Sequence, residues 1–222
     1  MGAVPAADDL PILYADEHLL VVAKPPRCLV VAAPGRSGPT LVDRVGRQLG
    51  ERIHAVHRLD EDTTGVIVLA RTADAKPRLE ELFRQHGARR IYLALAARVP
   101  SPAAGRIESS LAVGADGVVR SVRGGRGERA VTTYRTLARR GRGALLECEL
   151  ETGRRNQIRA HLAELGCPLV GDRKYGWRRG DRDPGPPPAR PLLHAWRIEF
   201  DHPWTGARVV VECAPDEPEL RP

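Results

Sequence analysis

Val56-His57-Arg58-Leu59-Asp60-Glu61-Asp62-Thr63-Thr64-Gly65 is a polar run set between two apolar stretches, Ile53–Val56 before it and Val66–Ala70 after it. Acids, hydroxyls and a closing glycine suit a loop, and the mostly branched run behind them suits a buried strand. On the N-terminal side, Thr40 can cap a helix that carries Leu41, Val45 and Leu49 on one face and ends at Gly50. Before it, Ile12–Val31 reads as two short strands, HLLVVA (18–23) and CLVVAA (28–33), broken by Lys24-Pro25-Pro26. On the C-terminal side, Asp74 can cap a second helix, with Pro77 tolerated in its first turn and Leu79, Leu82 and Phe83 toward the core. Arg90–Val99 then alternates, Ile91, Leu93 and Leu95 against Tyr92, Ala94 and Ala96, so Tyr92 lies on a strand among small neighbours.

Further along, Val118–Arg129 is rich in Gly and Arg and reads as a loop or mobile hairpin, followed by strands at Ala130–Leu137 and Ala144–Glu151. Arg154–Leu165 reads as a helix with Ile158, Leu162 and Leu165 inward, Arg155 and Arg159 sharing a different face, and Gly166 and Pro168 ending it. Trp177–Pro191 is too rich in Pro and Gly for a regular element and reads as an exposed loop. Leu193–Phe200 and Ala207–Cys213 form a closing hairpin. Periods of two and 3.6 residues alternate without a repeat, which points to α+β. The expected organisation is one domain over residues 12–213 with tails at 1–11 and 214–222, the first of them flexible.

A formal charge of +7 and a pI near 9.7 are what a phosphate-binding surface produces. Nearly all of that charge is Arg, the only lysines being Lys24, Lys76 and Lys174. A GC-rich coding sequence gives the same bias, so charge alone permits nucleic-acid binding without establishing it. Cys28, Cys148, Cys167 and Cys213 form no C-x-x-C pair, which argues against a disulfide framework or a zinc site and for reduced thiols. The first residues carry no basic leader and no apolar run is long enough to cross a bilayer, so the cytoplasm is the expected compartment. No Gly-rich phosphate loop, G-x-S-x-G or H-E-x-x-H occurs, which removes support for NTPase, serine hydrolase and zinc protease chemistry.

The 56–65 segment resembles the signature of the RluA-type pseudouridine synthases. Ile12–Pro25 (ILYADEHLLVVAKP), Arg90–Ala94 (RIYLA), Thr152–His161 (TGRRNQIRAH), Gly171–Gly176 (GDRKYG) and Leu193–Ala195 (LHA) resemble the same family, in the same order. The resemblance implies a mixed, largely antiparallel sheet with helices and loops around a central catalytic cleft. It also implies a reaction that breaks a C–N glycosidic bond, turns the uracil and rejoins it through C5. No redox carrier, metal or nucleotide cofactor is needed, and one carboxylate suffices, as nucleophile at C1′ or a ring carbon or as base toward the 2′ position.

By the same resemblance Asp60 is the catalytic carboxylate, Arg159 the basic residue that keeps it ionised, with Arg154 in that place if the helix starts later. Tyr92 stacks on the base and takes part in removing the C5 proton. Arg58, with Arg154 and Arg155, holds RNA, Arg58 at the flipped nucleotide. His57, Thr63, Thr64 and Gly65 shape the loop. Asn156 stands where many members have His, and Ala23 where Asn or Asp is common. The Pro-rich insert is outside the family pattern. No room precedes Ile12 for an S4-like domain, so a monomeric catalytic domain is expected to recognise ribosomal or transfer RNA stem-loops by itself. Two other readings stand beside this one: a glycosidic hydrolase pairing Asp60 with Asp62, and an RNA-binding protein without activity.

Overall fold

The computed structural model describes residues 9–124, 126–178, 180 and 188–222. The chain folds as two compact units, one of residues up to Ala88 with Arg197–Cys213, the other of Arg89–Trp196 with Ala214–Pro222. Three α-helices and eleven strands among the described residues make the α+β composition expected from the alternating periods.

The first unit holds β1 (Ile12–Ala15), β2 (Leu19–Lys24), α1 (Leu41–Leu49), β3 (His54–Ala55), β4 (Thr64–Ala70) and α2 (Ala75–Arg84). β2 pairs antiparallel with β1 on one side and with β4 on the other, and β3 adds to β4. Leu19–Val22 and Val66–Ala70 are buried on both strand faces, which is why these runs do not alternate. α1 starts on a full capping box between Thr40 and Asp43 and stops at left-handed Gly50, as its sequence indicates. β10 (Leu193–Asp201) begins in the second unit and ends in the first, where it pairs antiparallel with β11 (Arg208–Glu212). The turn of that hairpin is tied to the β1–β2 turn. His202 takes the Trp204 and Thr205 N–H groups on Nδ1, so its Nε2 donates to Asp16 Oδ2 at 2.9 Å, while His18 stacks on Trp204 at 4.0 Å.

The second unit holds most of β5 (Ala88–Ala96), then β6 (Ala104–Val113), β7 (Val119–Ser121), β8 (Glu128–Arg140), β9 (Gly143–Leu150) and α3 (Gln157–Glu164). Its strands run in the order β5-β9-β8-β6-β7, antiparallel throughout. One core gathers Leu93, Leu95, Leu145, Val170, Trp177, Leu192 and Leu220, and a second joins Leu111, Val119, Ala130, Ala160 and Tyr175.

Several expectations need correction. Cys28–Ala33 is not a strand: the Leu29 and Val30 carbonyls accept from the Leu41 and Val42 N–H groups at the start of α1 rather than from a ladder. Asp74 occupies the cap position of α2 but makes no side-chain bond there, and Thr72 Oγ1 takes the Ala75 N–H instead. α3 begins at Gln157, not Arg154, because Asn156 is left-handed with φ of 52°. Arg155 therefore lies outside the helix and shares no helical face with Arg159, and Leu165 is 38% exposed rather than inward. The Trp177–Pro191 loop is not exposed at its ends: Trp177 and Arg190 are buried. Its residues 179 and 181–187 lie outside the described residues. The C-terminal stretch folds onto the second unit, with Leu220 fully buried and Glu217 bonded to Arg190 at 3.0 Å.

Candidate active site

In the first unit the Asp60 loop is held from both ends. His57 accepts the Val68 N–H on Nε2 at 3.0 Å and its ring stacks on Phe83 at 4.0 Å, while Leu59 is buried. Residues 60–63 close a turn through the Thr63 N–H and Asp60 carbonyl at 3.1 Å, and Gly65 takes φ of 105°, which disfavours any side chain. Beneath the turn lies Lys24, only 2% exposed. Its ammonium donates to the carbonyls of Pro25 (3.0 Å), Glu61 (2.8 Å) and Thr63 (2.9 Å). A buried cation with three carbonyl partners meets its hydrogen-bond capacity and fixes the backbone on either side of Asp62. Glu61 pairs with Arg36 and its carbonyl also accepts from the Cys28 N–H. Asp60 is half-buried; Arg58 points to solvent with no ion pair among the described residues.

The second unit holds Tyr92, Arg154, Arg155 and Arg159. Tyr92 is buried on β5 across from Cys148 on β9. Burial pushes the Cys148 thiol up to about 12. Arg159 is fixed on α3 by several contacts. Its Nε and Nη2 meet the two oxygens of Asp172 at 2.7 and 2.9 Å, its Nη1 meets Asn156 Oδ1 at 3.1 Å, and its guanidinium lies 4.9 Å over the Tyr175 ring. The bidentate fork sets the plane of the guanidinium as well as its position. Tyr175 is in turn fixed by the Val119 N–H, which donates to its hydroxyl at 3.2 Å.

The loop before α3 is locked by Gln157. Its Oε1 takes Thr152 Oγ1 and the Arg154 N–H, and its Nε2 donates to the Val131 carbonyl and Thr132 Oγ1. Arg154 is tied to Glu128 at 3.0 Å and to the Arg129 carbonyl. Arg155 is exposed and has no ion pair among the described residues. His161 is buried between Thr132 and Ser109 hydroxyls, and desolvation lowers its pKa, which favours the neutral ring.

Asp172, Asn156, Tyr175 and Lys24 are positioning residues that sequence reasoning does not single out. Asp172, Tyr175 and Lys24 do lie in stretches that resemble the family, GDRKYG and AKP, and Asn156 stands out there as a departure. The first glycine of GDRKYG is required: Gly171 has φ of 86°, and a Cβ there would stand 2.1 Å from the Arg190 carbonyl oxygen.

Comparison with known proteins bears on what these parts do. The sequence model of a family described as RNA pseudouridylate synthase matches residues 18–164. The chain is 36% identical to the ribosomal large subunit pseudouridine synthase D of Nitrosomonas europaea, over 94% of this chain and 63% of that protein. It is 33% identical to the chloroplastic RNA pseudouridine synthase 2 of Arabidopsis thaliana, again over 94% of this chain and 63% of that one. The chain thus spans less than two thirds of the length of these relatives. Among solved structures, human RNA pseudouridylate synthase domain containing 4 superposes with a TM-score of 0.74 at 29% identity, covering 93% of this chain and 89% of that one.

Proposed function

Since the chain belongs to the RNA pseudouridylate synthase family, we propose that it isomerises uridine to pseudouridine in RNA. The observation that carries this is a family match running through Asp60, Tyr92 and Arg159 together, on a chain where the Asp60 loop and the Arg159 guanidinium are each held by a dedicated set of contacts. An inactive RNA-binding protein has no need to hold Asp60 and Arg159 so firmly.

Asp60 is the carboxylate that meets the ribose or ring, Tyr92 the ring against the target base, and Arg159 the cation that keeps Asp60 ionised. Arg58, Arg154 and Arg155 hold RNA, and the two exposed ones with no ion pair among the described residues, Arg58 and Arg155, are available to phosphates. The reaction draws on no cofactor. The Nitrosomonas relative's name makes large-subunit ribosomal RNA the first substrate to try, with transfer RNA second. No helix among the described residues is long and apolar enough to cross a membrane, and a monomer acting in the cytoplasm is the working form.

The test is Asp60→Asn, nearly isosteric and uncharged. Tritium release from RNA labelled at uridine C5 should fall to background while RNA affinity and melting temperature stay close to wild type. Substantial turnover by the variant sinks the assignment, and release of free uracil by the wild type favours a hydrolase.

A further inference from the structure

Arg90, the third residue of β5, carries a buried guanidinium that no acid balances among the described residues. It is 9% exposed. Its Nη2 reaches only two backbone carbonyls, Leu150 at 3.3 Å and Glu151 at 3.4 Å, and among the described residues its Nε has no hydrogen-bond partner. Acids are at hand but engaged elsewhere: Glu149 bonds Arg89 and Glu151 bonds Arg106, both out in solvent. The fold has even cleared space for the group, since a Cβ on Gly153 would stand 2.6 Å from Arg90 Nη1. An uncompensated buried cation is costly unless it serves an opposite charge that forms or arrives. Residues two apart on a strand share a face, and the neighbour on that face is Tyr92. Burial works against the Arg90 charge and attraction to the Tyr92 oxygen works for it. A guanidinium stays protonated under such conditions.

We propose that Arg90 is a positioning residue for proton transfer, its fixed charge stabilising the tyrosinate form of Tyr92, which takes the proton from C5 of the rejoined uracil. The inference rests on the pseudouridine synthase reading. Once C5 has bonded to C1′, C5 still carries its hydrogen. The C5–H bond breaks, its electron pair restores the C5–C6 double bond while the C6–N1 π pair moves onto N1, and the proton passes to the Tyr92 oxygen to give the phenol. N1 gains a proton from water, and the phenol returns its proton to water, so protons balance over the cycle. Asp60 is not required for this step, which leaves Arg90 and Tyr92 a task of their own.

The experiment has one arm without substrate and one with it. Ultraviolet difference titration of wild type against Tyr92→Phe isolates the ionisation of Tyr92, and the same difference is measured in the Arg90→Gln background. Loss of one adjacent opposite charge should move that ionisation up by about 1 to 3 pH units. In the second arm, the ascending limb of the single-turnover pH profile should shift the same way. The deuterium isotope effect at C5 should grow, and Arg90→Gln should add nothing in a Tyr92→Phe background. Arg90→Lys, which keeps the charge, should restore most of the profile. If Arg90→Gln does not fold, Gly153→Ala displaces the guanidinium and should produce the same shift. An unmoved Tyr92 ionisation, or additive effects in the double-mutant cycle, overturns the proposal. A wild type that makes no pseudouridine overturns the functional reading instead, and the substrate-free titration still decides on Arg90.

Discussion

Arg159 owes its fixed position to Asp172, whose carboxylate is 1% exposed and receives two guanidinium bonds. Removing one member of a buried pair leaves the other charge uncompensated, typically at about 3–5 kcal/mol. Asp172→Asn keeps the shape and one acceptor but removes the charge and the fork. It should lower the melting temperature and reduce the saturated single-turnover rate at least tenfold, with a smaller change in KM. An unchanged rate in a folded variant would show that Arg159 needs no such support. The motif residues around Asp60 are legible because the signature is contiguous. Asp172 and Lys24 are not, since nothing local marks an Asp as the partner of an Arg 13 residues earlier or a Lys as the clamp on carbonyls 37 and 39 residues later. Arg90 shows in the sequence only as the first letter of RIYLA, because burial without an acidic partner cannot be seen in a strand whose alternation puts Arg90 on the face of Tyr92.

At the scale of elements, legibility follows how local the determinant is. α1 can be read end to end because its signals are its own: Thr40 and Asp43 satisfy each other, and Gly50 supplies the left-handed stop. The same box makes a pH prediction. Hydrogen bonds from the Thr40 hydroxyl and N–H hold the Asp43 carboxyl below its ordinary pKa. A depressed folded-state pKa contributes stability that is fully present above the unfolded value, about 3.9, and is lost as pH falls through the folded value. Asp43→Asn should therefore flatten the loss of stability below pH 4, and Thr40→Ala should cost about 0.5–2 kcal/mol at neutral pH. Urea melts across pH 3 to 7 measure both, and a Thr40→Ala protein as stable as wild type would exclude a stabilising box. β6 is not legible at all. Its outward side chains, Arg106 and Glu108, pair with Glu151 and Arg129, and its other face intersperses Gly105 and Ser109 with Ile107 and Leu111, so the apolar alternation is too diluted to stand out. The α3 start fails for a related reason, because Gln157 anchors the preceding loop through bonds to Val131 and Thr132 that lie far off in sequence.

On the scale of the whole molecule, the excess of Arg turns out to be two populations. On the strands of the second unit, Arg89, Arg106, Arg129 and Arg135 face Glu149, Glu151, Glu108 and Glu147, so much of the cationic side-chain content is cancelled where it stands. Arg58 and Arg155 have no such partner among the described residues, which leaves their charge available to a polyanion. Composition cannot separate these populations, because pairing across strands is set by register and not by content. The difference is measurable through counterion release: taking one cation away from one phosphate shifts the log–log salt slope of RNA binding by about 0.7 to 0.9. Arg155→Gln should lower the slope by about one such step and weaken binding to a stem-loop at low salt. Arg135→Gln also removes an exposed guanidinium, but one already engaged by Glu147 and so not meeting a phosphate, and its effect on the slope should be near zero. Arg58→Gln should resemble Arg155→Gln in slope but, on the proposed role at the flipped nucleotide, hurt more on a paired target than on one already unstacked. Filter binding over a salt series on structured and relaxed stem-loops separates the three variants. Equal slopes for Arg135→Gln and Arg155→Gln would mean that pairing on the sheet does not govern which arginines meet RNA, and the division of charge drawn from the structure would be wrong.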